Sequence, residues 1–452
     1  MCSLLVHNTD EEDVPYEHLH KYRGSDGFSK LKVGQVLINH YLLSIKKGIC
    51  LQPFYKNEFL CAFNGEVYNK TCTESNYSET EFILDAFLEH KFDFIKHVDG
   101  EFLIFIYDVK GNKLHFFSDT FGIKPLFYYV NNHKFIFSSI RKTVDCISKG
   151  STKKLPPNSH LELDLYTNSV VLRHLDHGFN FIQKISSYEL WYEAFLNSIE
   201  KRFSNCKWDI VVPLSSGHDS GAIVSALNQL NIKHHTMTFE GEEHIDIIKD
   251  RLSIQKSINK PSNFKNILMP SFSNSEFNLA KATLTQTCDF FTYGPKTNLN
   301  THFINGHEDP GAVGKSFILN YFRKNFPDTR IMASGHGPDE LMSNIQTYTF
   351  GSPNPKFFDQ NLADHFPWEN VFEGSNMSYL SCDEAVCGGF SYEGRYPFLD
   401  REVVQSYLNL TPEAKNAFYK APIRHFLEKT GYPFVDGESH RIKKGFNSLG
   451  NN

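Results

Sequence analysis

Residues Ile210-Val211-Val212-Pro213-Leu214-Ser215-Ser216-Gly217-His218-Asp219-Ser220-Gly221-Ala222-Ile223-Val224-Ser225-Ala226-Leu227 run from an apolar stretch, through small polar residues, into a second apolar stretch. That order reads as a buried strand, a tight turn and the start of a helix. Small side chains let the backbone close around a ligand. The free N–H groups at the N-terminus of the new helix carry partial positive charge. A turn of this kind suits a phosphate or pyrophosphate. Taken alone, it is equally a Ser/Gly-rich turn that does no more than cap a helix. It contains no G-x-G-x-x-G and no closing Gly-Lys-Ser/Thr, so it is neither a dinucleotide fingerprint nor a Walker loop.

Outward from this turn, strand-like and helical segments alternate. A helix is expected around Tyr188–Arg202, and strands at Ile210–Leu214, His235–Thr238 and Arg330–Ala333. The alternation predicts a parallel α/β sheet, in which ligands gather at the carboxyl ends of the strands. Ser215–Gly221 and Ser334–Glu340 both fall at such ends. The first 165 or so residues read differently. Short strand-like runs (Val36–Ile38, Glu58–Phe63, Glu101–Tyr107, Leu114–Phe117, Pro125–Val130, Lys134–Ser138) alternate with Gly, Asn and Asp turns. One helix, Glu79–Leu88, interrupts them, with Phe82, Ile83 and Phe87 at helical spacing. Leu161–Leu165 alternates like a last strand, and residues 166–186 read as a polar bridge.

A length of 452 residues exceeds a single core and predicts two or three domains. The net charge of −6 argues against a general nucleic-acid partner. No apolar run is long enough to span a bilayer, and the start lacks a signal-peptide layout. Nine irregularly spaced cysteines without a CxxC fit reduced thiols and a cytoplasmic location.

A second chemical signal lies at the amino terminus. The small side chain of Cys2 favours removal of the initiator Met. A cysteine at a free amino terminus can act as nucleophile with its own α-amine as base. Phe63-Asn64-Gly65-Glu66-Val67-Tyr68-Asn69 follows a strand-like run. The Asn64 amide and the Gly65 N–H could form an oxyanion hole for acyl transfer. The competing reading is a plain Asn-Gly hairpin turn.

Several motifs together carry a resemblance. Cys2, Arg23-Gly24-Ser25-Asp26, the Phe63–Asn69 segment, Ser78-Glu79-Thr80-Glu81 and Asp119-Thr120-Phe121-Gly122-Ile123-Lys124-Pro125-Leu126 occur in the order seen in the glutaminase half of asparagine synthetases. Ser215–Ser220 resembles the S-G-G-x-D-S pyrophosphate loop of ATP-pyrophosphatases, with Ser216 in place of a glycine. Ser334-Gly335-His336-Gly337-Pro338-Asp339-Glu340 resembles S-G-x-G-x-D-E. Glu393–Arg401 resembles E-x-R-x-P-F-L-D-R, and Lys443-Lys444-Gly445-Phe446 resembles the C-terminal basic motif. The match spans nearly the whole chain.

The resemblance implies an α/β protein with two domains. Residues 1–180 would form a glutaminase domain, a four-layer α+β antiparallel sandwich of the N-terminal-nucleophile type. Residues 181–452 would form a parallel-sheet ATP-pyrophosphatase domain. The implied roles are Cys2 as nucleophile, Asn64 and Gly65 as oxyanion donors, and Glu66 with Glu79 as holders of the glutamine ammonium. Ser215, Ser216, Gly217, Asp219, Ser220, Ser334 and Gly335 would cradle ATP pyrophosphate. Asp219 and Asp339 would bind Mg²⁺, Glu340 would lie at the acceptor or ammonia site, and Lys443 or Lys444 would offset charge on the leaving group.

Two positions depart from the pattern. Leu42 stands where the family has the arginine that binds the glutamine carboxylate, with Lys46 and Lys47 as nearby cations. In Tyr293–Asn300, Thr297 can be matched but the arginine of T-T-x-R cannot, leaving Lys296 or Arg323 to replace it. The implied activity is ATP-dependent, glutamine-hydrolysing amide synthesis, with ammonia passing inside the protein to an acyl-adenylate. Aspartate is the default acceptor, and a homodimer is left open. A family ligase with another acceptor, and a non-catalytic binding protein, stand as alternatives.

Overall fold

The computed structural model describes residues 1–9, 14–45, 51–74, 78–149, 151–204, 206–241, 243–258, 264–293, 304–342, 352–435 and 447–449. The chain folds as two compact units. One comprises Met1–Gly178 with Thr287–Phe290 and Cys387–Tyr392; the other comprises Phe179–Gln286, Phe291–Val386 and Glu393–Asn452.

The first unit contains strands β1 (Ser3–His7), β2 (Gly27–Val33), β3 (Val36–Leu42), β4 (Phe54–Lys56), β5 (Phe59–Val67), β6 (Gly100–Asp108), β7 (Lys113–Ser118), β8 (Phe127–Val130), β9 (Phe135–Ser138), β10 (Lys153–Lys154), β11 (Ser159–Asp164) and β12 (Ser169–His174). They form two six-stranded sheets, ordered β10-β8-β9-β1-β3-β2 and β12-β11-β7-β6-β5-β4. Every pairing is antiparallel.

Alternation along the strands dictates the layering. Leu4, Val6, Val36 and Ile38 of the first sheet pack against Leu60, Ala62, Leu103, Phe105, Leu114, Phe116, Leu161 and Leu163 of the second. The intervening residues of the second sheet face outward. Phe63, Ile104, Ile106 and Phe117 bury against Ile83, Leu84 and Phe87 of the helix Glu79–His90 and against Phe94. On the other side, Leu5, Phe127 and Ile136 cover Val144 of the helix Arg141–Ser148. The result is helix, sheet, sheet, helix, as the resemblance implies.

Leu161–Leu165 is not the last strand, however. β12 pairs with β11 from Ser159↔His174 to Asp164↔Ser169, within the stretch expected to be a polar bridge. All six β12 residues are exposed, so no buried face marks the strand in the sequence. The backbone ladder to β11 carries it instead.

The second unit is built on β13 (Asp209–Pro213), β14 (His235–Phe239), β15 (Asn266–Met269), β18 (Thr329–Ala333) and β19 (Glu393–Arg395), with a separate short pair β16 (Thr292–Tyr293) and β17 (Ile304–Asn305). The five-stranded sheet runs β15-β14-β13-β18-β19 and is parallel throughout. Helices His218–Gln229, Ile245–Ile258 and Pro310–Asn325 cover it. Winding proceeds outward from β13 in one direction and then resumes at β18 on the other side. The order therefore reverses between β13 and β18, where open α/β sheets form a crevice beyond their carboxyl ends. Among the described residues, no helix is long and apolar enough to cross a membrane.

Candidate active site

In the first unit, Asn64 and Gly65 do not form a hairpin turn. They lie inside β5, paired with Leu103 and Phe102 of β6. Gly65 has φ +135, and a Cβ there would come 1.9 Å from the Glu101 carbonyl oxygen, so only glycine fits. Asn64 is fully buried, and neither its Oδ1 nor its Nδ2 has a hydrogen-bond partner. A buried polar group left unpaired costs about 1–3 kcal/mol. Such a cost is expected where a ligand supplies the partner.

Strand alternation aims the functional residues. Leu4 and Val6 face Leu60 and Ala62 across the interlayer core. Asn64 continues the second row, opposite Leu103 of the same core, and so faces the interlayer space; Cys2 immediately precedes β1. Cys2 is buried, and its carbonyl accepts a hydrogen bond from Arg23 Nε at 3.0 Å. Glu66 and Glu101 are buried partners directly across β5 and β6. Glu79 reaches the end of β5, where its Oε1 accepts from the Val67 N–H at 2.8 Å. Adjacent carboxylates of this kind suit an ammonium group.

The first departure in the sequence bears on the same place. Ser3 pairs with Tyr41, and Leu42 follows Tyr41 as the last residue of β3. Leu42 is buried, so an aliphatic chain stands next to the thiol's strand where the family pattern has a cation. His40 is fully buried, with the Phe63 backbone beside its ring. Burial, with the amino-terminal charge adding to it, lowers its pKa to about 4, so the ring is neutral. Lys46 and Lys47 lie outside the described residues.

In the second unit, the two predicted turns abut. Gly217 caps the helix His218–Gln229 with φ −69 and no side-chain cap, which leaves the helix's first N–H groups outward. Ser216 keeps a negative φ, so replacing the family glycine costs no backbone strain. Ser215 Oγ and Ser220 Oγ lie 2.9 Å apart. Arg251 braces the turn from behind, with Nη1 donating to the Ser215 carbonyl and, at 3.0 Å, to the Gly217 carbonyl. Gly221 is required there, because a Cβ would meet Arg251 Nη2 at 2.4 Å. The Ser216 N–H and Oγ both donate to Glu243 Oε2 at 2.5 Å. A carboxylate of the chain thus holds part of the turn's anion-binding surface.

From β18, Gly335 comes close against the first turn; its Cβ would sit 3.1 Å from the Cβ of Asp219. Asp219 and Asp339 converge on a single ammonium. Lys420 Nζ donates to Asp219 Oδ1 and Oδ2 at 2.9 and 2.7 Å and lies 2.7 Å from Asp339 Oδ1. Burial alone would lower the Lys420 pKa, but the two carboxylates more than reverse this and hold it well above its ordinary value. Glu340 is buried and accepts a hydrogen bond from Ser375 Oγ at 3.0 Å. Burial, helped by the Asp339 charge, raises its pKa to about 8, so it carries a proton at neutral pH.

Behind this cluster, Asp383 is fully buried among three partners. Lys315 Nζ lies at 2.6 Å, His336 Nε2 at 2.9 Å and Ser334 Oγ at 2.7 Å. Burial would raise the Asp383 pKa; His336 and Lys315 overcome that and hold the carboxyl well below the usual range. A histidine oriented by a buried aspartate can accept and return a proton.

Ser215, Ser216, Gly217, Asp219, Ser220, Ser334, Gly335, Asp339 and Glu340 therefore gather at the β13/β18 reversal. Lys443, Lys444, Lys296 and Thr297 lie outside the described residues. Arg323 cannot replace the missing acceptor arginine at this edge. It occupies the last turn of the helix Pro310–Asn325, which leads into the amino-terminal end of β18, opposite the two turns. The sequence pattern does not single out Lys420, Glu243, Arg251, or the His336–Asp383–Lys315 group. His336 alone had a visible signal, as the variable residue inside S-G-x-G-x-D-E.

Residues 1–187 match a glutamine amidotransferase domain family. A Methanocaldococcus jannaschii protein whose name assigns it to the glutamine-hydrolyzing asparagine synthetases is 24% identical over 417 residues, covering 85% of this chain and 71% of that protein. The asparagine synthetase (glutamine-hydrolyzing) of Mesocricetus auratus is 25% identical over 447 residues, covering 89% of this chain and 73% of the other. An asparagine synthetase domain-containing protein of Saccharomyces cerevisiae is 24% identical over 407 residues, covering 78% and 73%.

Proposed function

We propose that the chain belongs to the asparagine synthetase family and is an ATP-dependent amide synthetase that takes nitrogen from glutamine and transfers it to an adenylated carboxylic acid, with aspartate as the first acceptor to test. One observation carries the reading. Two carboxylates converge on a cation beside the uncapped start of the helix His218–Gln229, at the strand-order reversal of a parallel sheet.

In the second unit, an oxygen of the acceptor carboxylate attacks the α-phosphorus of ATP, and the bond to the β-phosphate breaks. N–H groups in the uncapped first turn of the helix His218–Gln229 would stabilise the charge that develops on the leaving pyrophosphate. The two aspartates fit Mg²⁺, a hard cation that takes carboxylate and phosphate oxygens and would neutralise the triphosphate. Asp219 and Asp339 would hold it in place of the Lys420 ammonium. Ammonia then adds to the acyl carbon, AMP departs, and His336, oriented by Asp383, takes the proton shed by nitrogen. Protonated Glu340 offers a hydrogen bond without adding negative charge beside the adenylate. In the first unit, the Cys2 thiol attacks the glutamine amide carbon and gives its proton to the departing nitrogen, with the Asn64 amide and the Gly65 N–H receiving the oxyanion; the C–N bond breaks to release ammonia, and water then hydrolyses the thioester to glutamate and frees the thiol.

Leu42 beside the Cys2 strand favours a second reading for the nitrogen source, in which free ammonia replaces glutamine. Loss of one charged carboxylate contact would cost about 1.5–3 kcal/mol of glutamine binding. ATP–pyrophosphate exchange across a panel of carboxylic acids tests the synthetase reading, with Asp219→Ala as control. Exchange with aspartate supports the proposal, and exchange with no acid at all sinks it. Glutamate release from glutamine, abolished by Cys2→Ala, decides between the two nitrogen sources.

A further inference from the structure

We infer that the first unit carries a binding site for a divalent transition metal of the zinc class, formed by His115, His160 and Glu162. The three residues lie on β7 and β11, outside both chemical centres described above. His115 and Glu162 are direct cross-strand partners, and His160 sits opposite Phe117, one alternation along. Their neighbours Leu114, Phe116, Leu161 and Leu163 point into the interlayer core. His115, His160 and Glu162 therefore share the opposite, outer face.

The geometry is that of a ligand set. His115 Nδ1 and His160 Nε2 face each other at 3.1 Å, and Glu162 Oε2 lies 3.8 Å from the same His115 Nδ1. The three ligand atoms all fall within 4.8 Å of one another, and no other group of three His, Cys, Asp or Glu among the described residues is so placed. Nitrogens bound to a common zinc at about 2.0–2.1 Å sit a little over 3 Å apart. Both rings are largely withdrawn from water.

The surroundings fix the ligands as a metal site requires. Phe117 stacks on His160 at 4.3 Å with the planes 5° apart, and Phe92 approaches the same ring at 4.9 Å. Lys113 Nζ holds the other carboxylate oxygen, Glu162 Oε1, at 3.0 Å and leaves Oε2 toward the imidazoles. Arg173 Nη1 lies 3.6 Å from Oε2 on a side chain 50% exposed, free to swing outward when a cation arrives. Glu162 is 12% exposed, enough for a water to enter as the fourth ligand. Two imidazoles and a carboxylate with an open fourth position suit zinc, and cobalt as its probe. A metal here would cross-link β7 to β11 beside the exposed edge strand β12.

The test uses the full chain, stripped with chelator and titrated with Co²⁺. One equivalent should bind with the strong visible absorption of a four-coordinate ion, be displaced by Zn²⁺, and raise the melting temperature of the first unit. His115→Gln should abolish that absorption. Glu162→Gln, which keeps an acceptor for Lys113 and leaves both rings in place, should weaken binding at least tenfold. Weak, pale six-coordinate binding would locate cobalt at aspartates instead, and a sulfur-to-cobalt absorption would locate it at cysteines; either overturns the assignment. So does absence of binding at micromolar Co²⁺, or binding that Glu162→Gln leaves unchanged.

Discussion

Lys420→Met removes the ammonium that holds Asp219 and Asp339 together while keeping most of the side-chain volume. Lys420 is 2% exposed, Asp219 20% and Asp339 53%. Deleting one partner of a fully buried ion pair costs about 3–5 kcal/mol, because a charge is left without compensation. Solvent reaches Asp339, so its share is discounted, and about 2–3 kcal/mol is expected here. For a unit of this size that lowers the melting temperature by roughly 4–12 °C in chelator. If the two aspartates form a cation site, Mg²⁺ should replace the missing ammonium. At a hundredfold excess over its Kd, a ligand confined to the folded state contributes about 2.7 kcal/mol, enough to restore the loss. Wild type should respond less, since its own lysine must first move. Thermal unfolding followed by tryptophan fluorescence, with EDTA and with Mg²⁺, gives the comparison. A variant as stable as wild type in EDTA, or one that ignores Mg²⁺, would refute the view that these carboxylates are arranged around a cation.

Glu340 retains its proton up to about pH 8 in the fold, against about 4.5 for a solvated glutamate. Between those limits the unfolded chain has released its proton and the folded chain has not, so stability must fall as pH rises through that window. Glu340→Gln should remove this slope and stabilise the protein at pH 8 but not at pH 4; equal pH profiles in urea melts would contradict it. Gly65→Ala places a Cβ 1.9 Å from the Glu101 carbonyl at φ +135. Backbone strain of about 1–3 kcal/mol plus the clash should lower the first unit's melting temperature and end glutamine hydrolysis, leaving pyrophosphate exchange in the second unit. Glu243→Gln turns a charged contact at the Ser216 N–H into a neutral one. If the carboxylate competes with phosphate, calorimetry should show pyrophosphate binding about fivefold tighter; weaker binding would mean Glu243 instead supports the turn.

Much of the fold is legible in local sequence, for a physical reason. Leu4/Val6, Leu60/Ala62 and Leu114/Phe116 alternate with outward residues, and that period states both the strand and the side it buries. β12 escapes such a reading because none of its residues is buried and only backbone pairing defines it. Asn64-Gly65 looks like a turn in isolation, since the dipeptide accepts positive φ. Only the partner strand β6 shows that the same freedom serves a close backbone approach inside a sheet.

The candidate sites divide along the same line. The sequence by itself determined the two small-residue turns, the acidic residues within them and the strands that lead to them, because a tight turn after an apolar run restricts residue type over a handful of neighbouring positions. Tertiary structure alone decided what lies between the turns. Lys420 is 201 residues from Asp219, and Asp383 lies 49 from Ser334. Their pairing depends on where the sheet carries distant segments, and the electrostatic attraction that joins them has no period and leaves no mark on the residues around them.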